Sequence, residues 1–246
     1  RYSVDKKWHI PHFEKMLYDN GQLVSLYSKG YQATKNELYK TTVYHTLDFI
    51  ERELLTGEGA FYSSLDADSK NAEGKLEEGA FYVWKSIELQ SILKDDYQLF
   101  SDYFNINNYG YWEHENYVLI RNDSNEAIAK KHNISVTELK NKVNQWQKNL
   151  LKERAKKERP RLDDKSLTSW NALMLKGYID AYTVFNEPHF LDIAVKNATF
   201  ILSKQLQENG NLNHSYKNGK SSINGYLEDY ATVIDAFILL YEATLN

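Results

Sequence analysis

Apolar and aromatic residues at positions 13, 16, 17, 24, 27 and 31 fall on one helical face. Tyr39, Val43, Leu47, Ile50 and Leu54 then repeat the pattern at intervals of four, four, three and four. Only Thr34-Lys35-Asn36 separates the two runs. So short a link turns one helix back on the other, which makes an antiparallel helical hairpin the unit that this chain must pack. The first helix is expected to open at Pro11, a residue suited to a first helical position, and to run to about Ala33; the second covers roughly 36–55.

The same design returns later. A long helix is expected over about 135–158, with Ser135 and Glu138 as a capping box and Leu139, Val143, Trp146 and Leu150 as its buried stripe. Arg159-Pro160 ends it. Further helices are expected at about 86–104, 165–184, 187–207 and 226–244. Between them the period changes. Gly59-Ala60-Phe61-Tyr62 recurs as Gly79-Ala80-Phe81-Tyr82 and reads as two short strands around an acidic loop. Tyr109–Trp112 and Tyr117–Ile120 read as a second strand pair, and 208–225 as mostly irregular. Helical hairpins with small β-hairpin excursions are the pattern of an α/α toroid, in which inner and outer helices alternate. The helices starting near 12, 166 and 226 are then inner, and those at 36 and 187 outer. A ring of six hairpins needs about twelve helices of ordinary length. This chain supplies fewer, so the expectation is one toroid domain over 1–246, incomplete and part of something longer.

Composition removes several functions. Net charge is −4, which disfavours a general nucleic-acid binder. No run of 18 apolar residues occurs, and the start is not signal-like, so neither a membrane span nor an export signal is expected. Cysteine is absent, which rules out disulfides, thiol catalysis and thiolate metal sites within these residues and agrees with a reducing, cytoplasmic setting. There is no glycine-rich phosphate loop, His-Glu-x-x-His or nucleophile elbow. No cofactor or metal is expected; the Asp66-x-Asp68 loop lacks the residues that a calcium loop needs at its fifth and sixth positions.

Three polar helix starts carry the candidate chemistry. The first spans Trp8 to Asn20 and holds His12, Tyr18 and Asp19. The second is Asp163-Asp164-Lys165 with Trp170-Asn171, an aromatic–amide pair of the kind that stacks a sugar ring and bonds its hydroxyls. The third is Tyr226-Leu227-Glu228-Asp229-Tyr230. Each has a plain alternative. Asp163 or Asp164 is an expected N-cap, and Glu228 and Asp229 suit the positive end of a helix dipole. His12 can simply cap its helix, and Trp170 can be core. If the three starts share a rim, His12, Asp163, Asp164, Glu228 and Asp229, with Asp66 and Asp68 in reserve, are the acid–base candidates. Trp8, Tyr18, Asp19, Tyr62, Trp170, Asn171 and Tyr230 are then the candidate substrate contacts.

Trp8-x-x-Pro11-His12-Phe13-Glu14-Lys15-Met16-Leu17-Tyr18-Asp19-Asn20, Phe61-Tyr62-Ser63-x-x-Asp66-Ala67-Asp68-Ser69, Phe81-Tyr82-x-Trp84, Arg159-Pro160-x-x-Asp163-Asp164-Lys165 with Trp170-Asn171, and Asp229-Tyr230-Ala231 occur in this order. Together they resemble the spermatogenesis-associated protein 20 family and its bacterial YyaL-like members, over essentially the whole chain. That resemblance implies an upstream thioredoxin-like partner domain and downstream hairpins completing an (α/α)6 toroid of the six-hairpin glycosidase type. It also implies kinship of fold with N-acylglucosamine 2-epimerases, hence a carbohydrate-handling domain whose substrate is a small sugar or oligosaccharide. Within that class, a glycosidase would need two carboxyls flanking the bond, and an epimerase a base and an acid about one carbon. The alternative from another class is a non-catalytic binding or scaffold module serving the thioredoxin-like domain.

Overall fold

A computed structural model describes residues 2–246. The chain folds as two compact units, one of Arg1–Glu14 with Asp66–Arg161 and the other of Lys15–Leu65 with Leu162–Asn246. In chain order the elements are β1 (Lys15–Met16), α1 (Leu17–Thr34), α2 (Glu37–Glu53) and β2 (Ser64–Leu65). Then follow β3 (Asp68–Lys70), β4 (Leu76–Glu78), β5 (Trp84–Lys85), α3 (Ser86–Leu93), α4 (Tyr97–Phe104), β6 (Asn116–Tyr117), α5 (Asn125–Lys131) and α6 (Val136–Arg154). The chain closes with β7 (Leu162–Asp163), β8 (Ser166–Leu167), α7 (Thr168–Phe185), α8 (Pro188–Phe200), β9 (Asn213–Lys217), β10 (Lys220–Asn224) and α9 (Leu227–Thr244).

In the second unit α7 is the central helix. It packs against α1, α9 and α8, while α2 packs on α1. Met174, Leu175, Tyr178 and Ala181 of α7 are fully buried, with Leu17 and Val24 of α1 and Val43, Leu47 and Ile50 of α2 in the same core. Burying a helix on most of its faces requires small residues at its crossings, and α1 and α7 supply them. A Cβ on Gly21 would stand 2.7 Å from the Leu173 carbonyl oxygen, and one on Gly177 would stand 2.8 Å from the Gly21 carbonyl oxygen. The two backbones therefore meet with no side chain between them.

In the first unit α3, α4, α5 and α6 enclose Trp84, Leu89, Phe100, Ile128, Leu139 and Trp146. Burial disfavours the Asp96 carboxylate there, but bonds from Lys142 (2.7 Å) and the Trp146 indole N–H (2.8 Å) outweigh it and hold the group below its ordinary range. No helix among the described residues is long and apolar enough to cross a membrane.

Several expectations need correction. The first helix starts at Leu17, not at Pro11. The Asp5 carboxylate accepts the backbone N–H groups of Lys7, His9 and Ile10, and the Tyr2 carbonyl accepts that of His12. These bonds keep the chain extended, and β1 then pairs with β2 before the helix can begin. The repeated Gly-Ala-Phe-Tyr segments are not strands. Gly59 and Gly79 adopt φ of +90° and +76°: Gly59 closes a turn on the Thr56 carbonyl and Gly79 opens one to Tyr82, both phenylalanines are buried, and the strands lie beside them. Tyr111 makes one bridge to Tyr117, but β6 pairs with β5 rather than forming the expected aromatic hairpin. Residues 125–131, a polar stretch ahead of α6, form a helix capped by the Ser124 hydroxyl. The largest change is at 208–225, which holds the β9–β10 hairpin, turned at Asn218-Gly219 with φ of +53° and +77°. Asn-Gly is the strongest short-range hairpin signal, and here it outweighs the polar composition around it.

The helix contact yields a stability prediction. Gly21→Ala or Gly177→Ala should cost about 1–3 kcal/mol, because the obstructing atoms are backbone and cannot rotate aside. Gly57→Ala should stay within about 0.5 kcal/mol, since its Cβ would meet nothing within 4 Å. Urea denaturation of the three variants checks this contrast.

Candidate functional site at the helix starts of the second unit

Two small sheets stitch one end of the second unit together. β1, β2 and β7 join the start of α1 to the segment leading into α7, and β8, β9 and β10 join the start of α7 to the last hairpin. The Leu17 N–H donates to the Ser63 carbonyl (2.9 Å), and the Ser63 hydroxyl to the Lys165 carbonyl (2.7 Å). Tyr18 of α1 meets Trp170 of α7 edge to face at 4.8 Å.

Asp229 is the polar centre of this end. It is wholly buried at the third position of α9 and accepts the N–H of Tyr226, forming a capping box (2.8 Å). Its carboxylate also accepts the backbone N–H of Ser169, in the first turn of α7 (2.8 Å), and meets His214 Nδ1 at 2.9 Å. Both Asp229 oxygens accept backbone N–H groups, so His214 Nδ1 is the donor in this contact and Nε2 is the nitrogen left over. Nε2 makes no hydrogen bond among the described residues. The His214 side chain is 15% exposed, and the half-exposed Tyr226 ring lies 4.7 Å from it at 59°. The result is an oriented imidazole with a free basic nitrogen beside an accessible aromatic ring. It is suited to taking up and returning a proton.

His214, Glu228 and Asp229 bring one donor atom each within 4.8 Å, a grouping that raises the question of a metal. The donor chemistry opposes one. Both Asp229 oxygens already accept N–H groups, which leaves only His214 Nε2 and the exposed Glu228, too few ligands to hold an ion.

The other sequence candidates have separate fates. Asp163 pairs with Lys165 (3.1 Å) and Asp164 with Lys217 (2.5 Å). The Lys217 ammonium holds the Asp164 carboxyl below the usual range. Both carboxylates are thus engaged as half-exposed ion pairs. Glu228 is exposed. Asn171 is fully buried: its side-chain oxygen accepts the Phe61 N–H and its amide donates to the Phe61 and Leu167 carbonyls, so it fastens a loop to α7 and is closed to a ligand. The Tyr230 hydroxyl accepts the Leu212 N–H and braces the hairpin against α9. Tyr62 packs on the core. Asp19 lies in the first turn of α1, near Tyr18.

His12, Trp8, Asp66 and Asp68 belong to the first unit. There the His12 ring stacks on Tyr2 (4.7 Å) and faces Glu14 (3.9 Å), and Trp8 is 83% exposed at φ +56°. Asp66 pairs with Arg161 (3.2 Å), and Asp68 lies opposite Glu78 in the β3–β4 pairing. His214 was missed because its segment was read as irregular. The Asn-Gly turn four residues on was the signal that would have placed it on a strand.

No protein-family model matches this chain. Among curated proteins it is 34% identical over 270 residues to the uncharacterized protein B0495.5 of Caenorhabditis elegans, covering 98% of this chain and 37% of that protein. It is 32% identical over 273 residues to spermatogenesis-associated protein 20 of Homo sapiens, covering 99% of this chain and 35% of that one. The chain therefore spans about a third of the length of the curated relatives it matches. Among solved structures, a cellobiose 2-epimerase from Bacillus thermoamylovorans matches with a TM-score of 0.55 at 12% identity, over all of this chain and 44% of that one. A sugar epimerase from a ruminal bacterium matches with a TM-score of 0.55 at 10% identity, over all of this chain and 43% of that one. The fold is that of part of an (α/α)6 toroid.

Two predictions follow from this geometry. Asp229→Asn should cost about 2–3 kcal/mol, because an amide NH2 must face N–H donors that the carboxylate now satisfies; the urea midpoint reads this. The Asp164–Lys217 pair gives a pH dependence. The Asp164 pKa lies below its ordinary 3.8, so its contribution is present above that value and lost as pH falls through the lowered one. Lys217→Met should therefore lower the midpoint slightly at neutral pH and leave it unchanged once pH has fallen below the lowered Asp164 value.

Proposed function

We infer that this chain, homologous along its length to about a third of spermatogenesis-associated protein 20, is a carbohydrate-handling domain that moves a proton through His214. The observation carrying this reading is the His214–Asp229 pair, with one imidazole nitrogen committed to a buried carboxylate and the other uncommitted. Kinship of fold with a cellobiose 2-epimerase and a sugar epimerase supports a sugar as the substrate. Tyr226, beside the imidazole, offers a face on which a sugar ring can stack.

The chemistry favours proton transfer next to a carbonyl over hydrolysis. A glycosidase needs one carboxyl to be protonated while a second remains free. Asp163 and Asp164 are held as ion pairs, and Asp229 is saturated by N–H donors. With an open-chain reducing sugar, the Nε2 lone pair takes the proton from the carbon beside the carbonyl; the C–H pair forms the carbon–carbon double bond and the carbonyl π pair moves onto oxygen, giving an enediolate. Return of the proton by the same imidazolium to the neighbouring carbon, with the hydroxyl proton passing between the two oxygens, isomerises the sugar; epimerisation requires the enediol to turn over before that proton returns. Asp229 stabilises the imidazolium formed in between. The partners in this reading are a small sugar or oligosaccharide and a thioredoxin-like domain of the longer protein, in a reducing compartment, with no role for nucleic acid, membrane or cofactor.

A second reading, a binding module without chemistry, draws on the ion-paired carboxylates at this end. Incubation with reducing mono- and disaccharides in D2O separates the two by NMR. Exchange at the carbon beside the carbonyl should appear and fall about 10²–10⁴-fold in His214→Ala. Sugar binding without exchange would leave the binding module. Loss of turnover in Asp164→Asn with His214→Ala unaffected would restore the carboxylate mechanism.

A further inference from the structure

An imidazole that moves a proton needs its strand held in place. β10 pairs with β9 at Asn213, Ser215, Tyr216 and Lys217 but skips His214, where the opposing Ile223 turns to φ +64°. A β-branched residue rarely adopts that conformation, and the ladder on that side therefore gives His214 no regular partner. On the other side lies the start of α7. The Thr168 hydroxyl contacts the Asn213 carbonyl at 2.6 Å, and Gln205 Nε2 contacts the Thr168 hydroxyl at 2.6 Å. Thr168 and Gln205 are both wholly buried.

Donor directions in this chain are forced. A carbonyl only accepts, so the single Thr168 hydroxyl proton goes to Asn213, and Gln205 must donate to Thr168. The order is amide N–H to hydroxyl to the carbonyl of the peptide that leads into His214. Gln205 reaches this position because α8 ends in a π turn, Ile201–Gln205, in which the Leu206 N–H bonds the Ile201 carbonyl. Such turns redirect side chains that an α-helical register would place elsewhere. Gln207 Nε2 adds a bond to the Asn213 side chain (3.0 Å), and Leu167 pairs with Ser215. The residues flanking His214 are thus referenced to Leu167 and Thr168, while its Asp229 partner is referenced to Ser169.

We propose that the Gln205–Thr168–Asn213 hydrogen-bond chain is a positioning device that sets the His214 imidazole so that Nδ1 meets Asp229 and Nε2 is left free. It rests on the reading of His214 as the proton-transfer group and names Thr168 and Gln205 as the residues that act through it. Thr168→Val keeps the shape of the side chain and removes both bonds; Thr168→Ser keeps both; Gln205→Leu removes only the outer bond.

Imidazole ¹⁵N spectra of the full chain, with His214 identified by its loss in His214→Asn, report which ring nitrogen is protonated. Expected is the Nδ1–H form in the native protein and in Thr168→Ser. In Thr168→Val the ratio should move toward Nε2–H by about tenfold, the scale of one lost hydrogen bond, with a smaller shift in Gln205→Leu. A folded Thr168→Val or Gln205→Leu protein with unchanged His214 signals overturns the proposal, even if its melting temperature falls. If Thr168→Val does not fold, Gln205→Leu decides alone. Because the spectra are read without substrate, a shifted ratio together with activity that survives His214→Ala would sink the functional reading and leave the positioning intact.

Discussion

One buried carboxylate holds the functional end of the second unit together. Asp229 terminates three pieces of backbone and side chain that come from distant parts of the sequence: the N-terminus of its own helix, the first turn of α7 and the ring of His214. A carboxyl group with no exposed surface would be costly without such donors, so each partner is needed by the others. The charge also sits where two helix dipoles present their positive ends. Burial, capping and histidine orientation are therefore one arrangement here, and the imidazole inherits its free nitrogen from the requirement that Asp229 be satisfied.

The arrangement depends on how closely α1, α7 and α9 approach. Gly21 and Gly177 let α1 and α7 touch backbone to backbone, which sets Tyr18 against Trp170 at their starts. The short sheets then fix register at the same end: β1 with β2 and β7, and β8 with β9. None of these strands would stand alone, at two to five residues each. They persist because rigid helices hold their ends, and in turn they define where each helix starts.

Much of this was legible in the residues. The hairpin of α1 and α2, the capped start of α6 at Ser135 and the start of α9 after Tyr226 follow from local periodicity and capping, which act over a few residues. Asp229 was recognisable as a carboxylate at a helix start. Its partner was not, because the bond to His214 depends on a hairpin whose Asn-Gly turn was passed over in a polar stretch. Asn171 was misassigned for a related reason: an amide beside a tryptophan has the same spelling whether it faces a sugar or, as here, closes a loop over the core.

By itself the sequence determined the helical-hairpin class, the polar helix starts and the kinship with spermatogenesis-associated protein 20, because periodicity, caps and motif order are local properties of the chain. Only the tertiary structure decided which of the acidic residues became ion pairs, which became a buried hub, and which histidine it oriented. Those outcomes depend on desolvation and on donors brought from sixty residues away or fifteen, as with Ser169 and His214 around Asp229, and no local pattern carries that information.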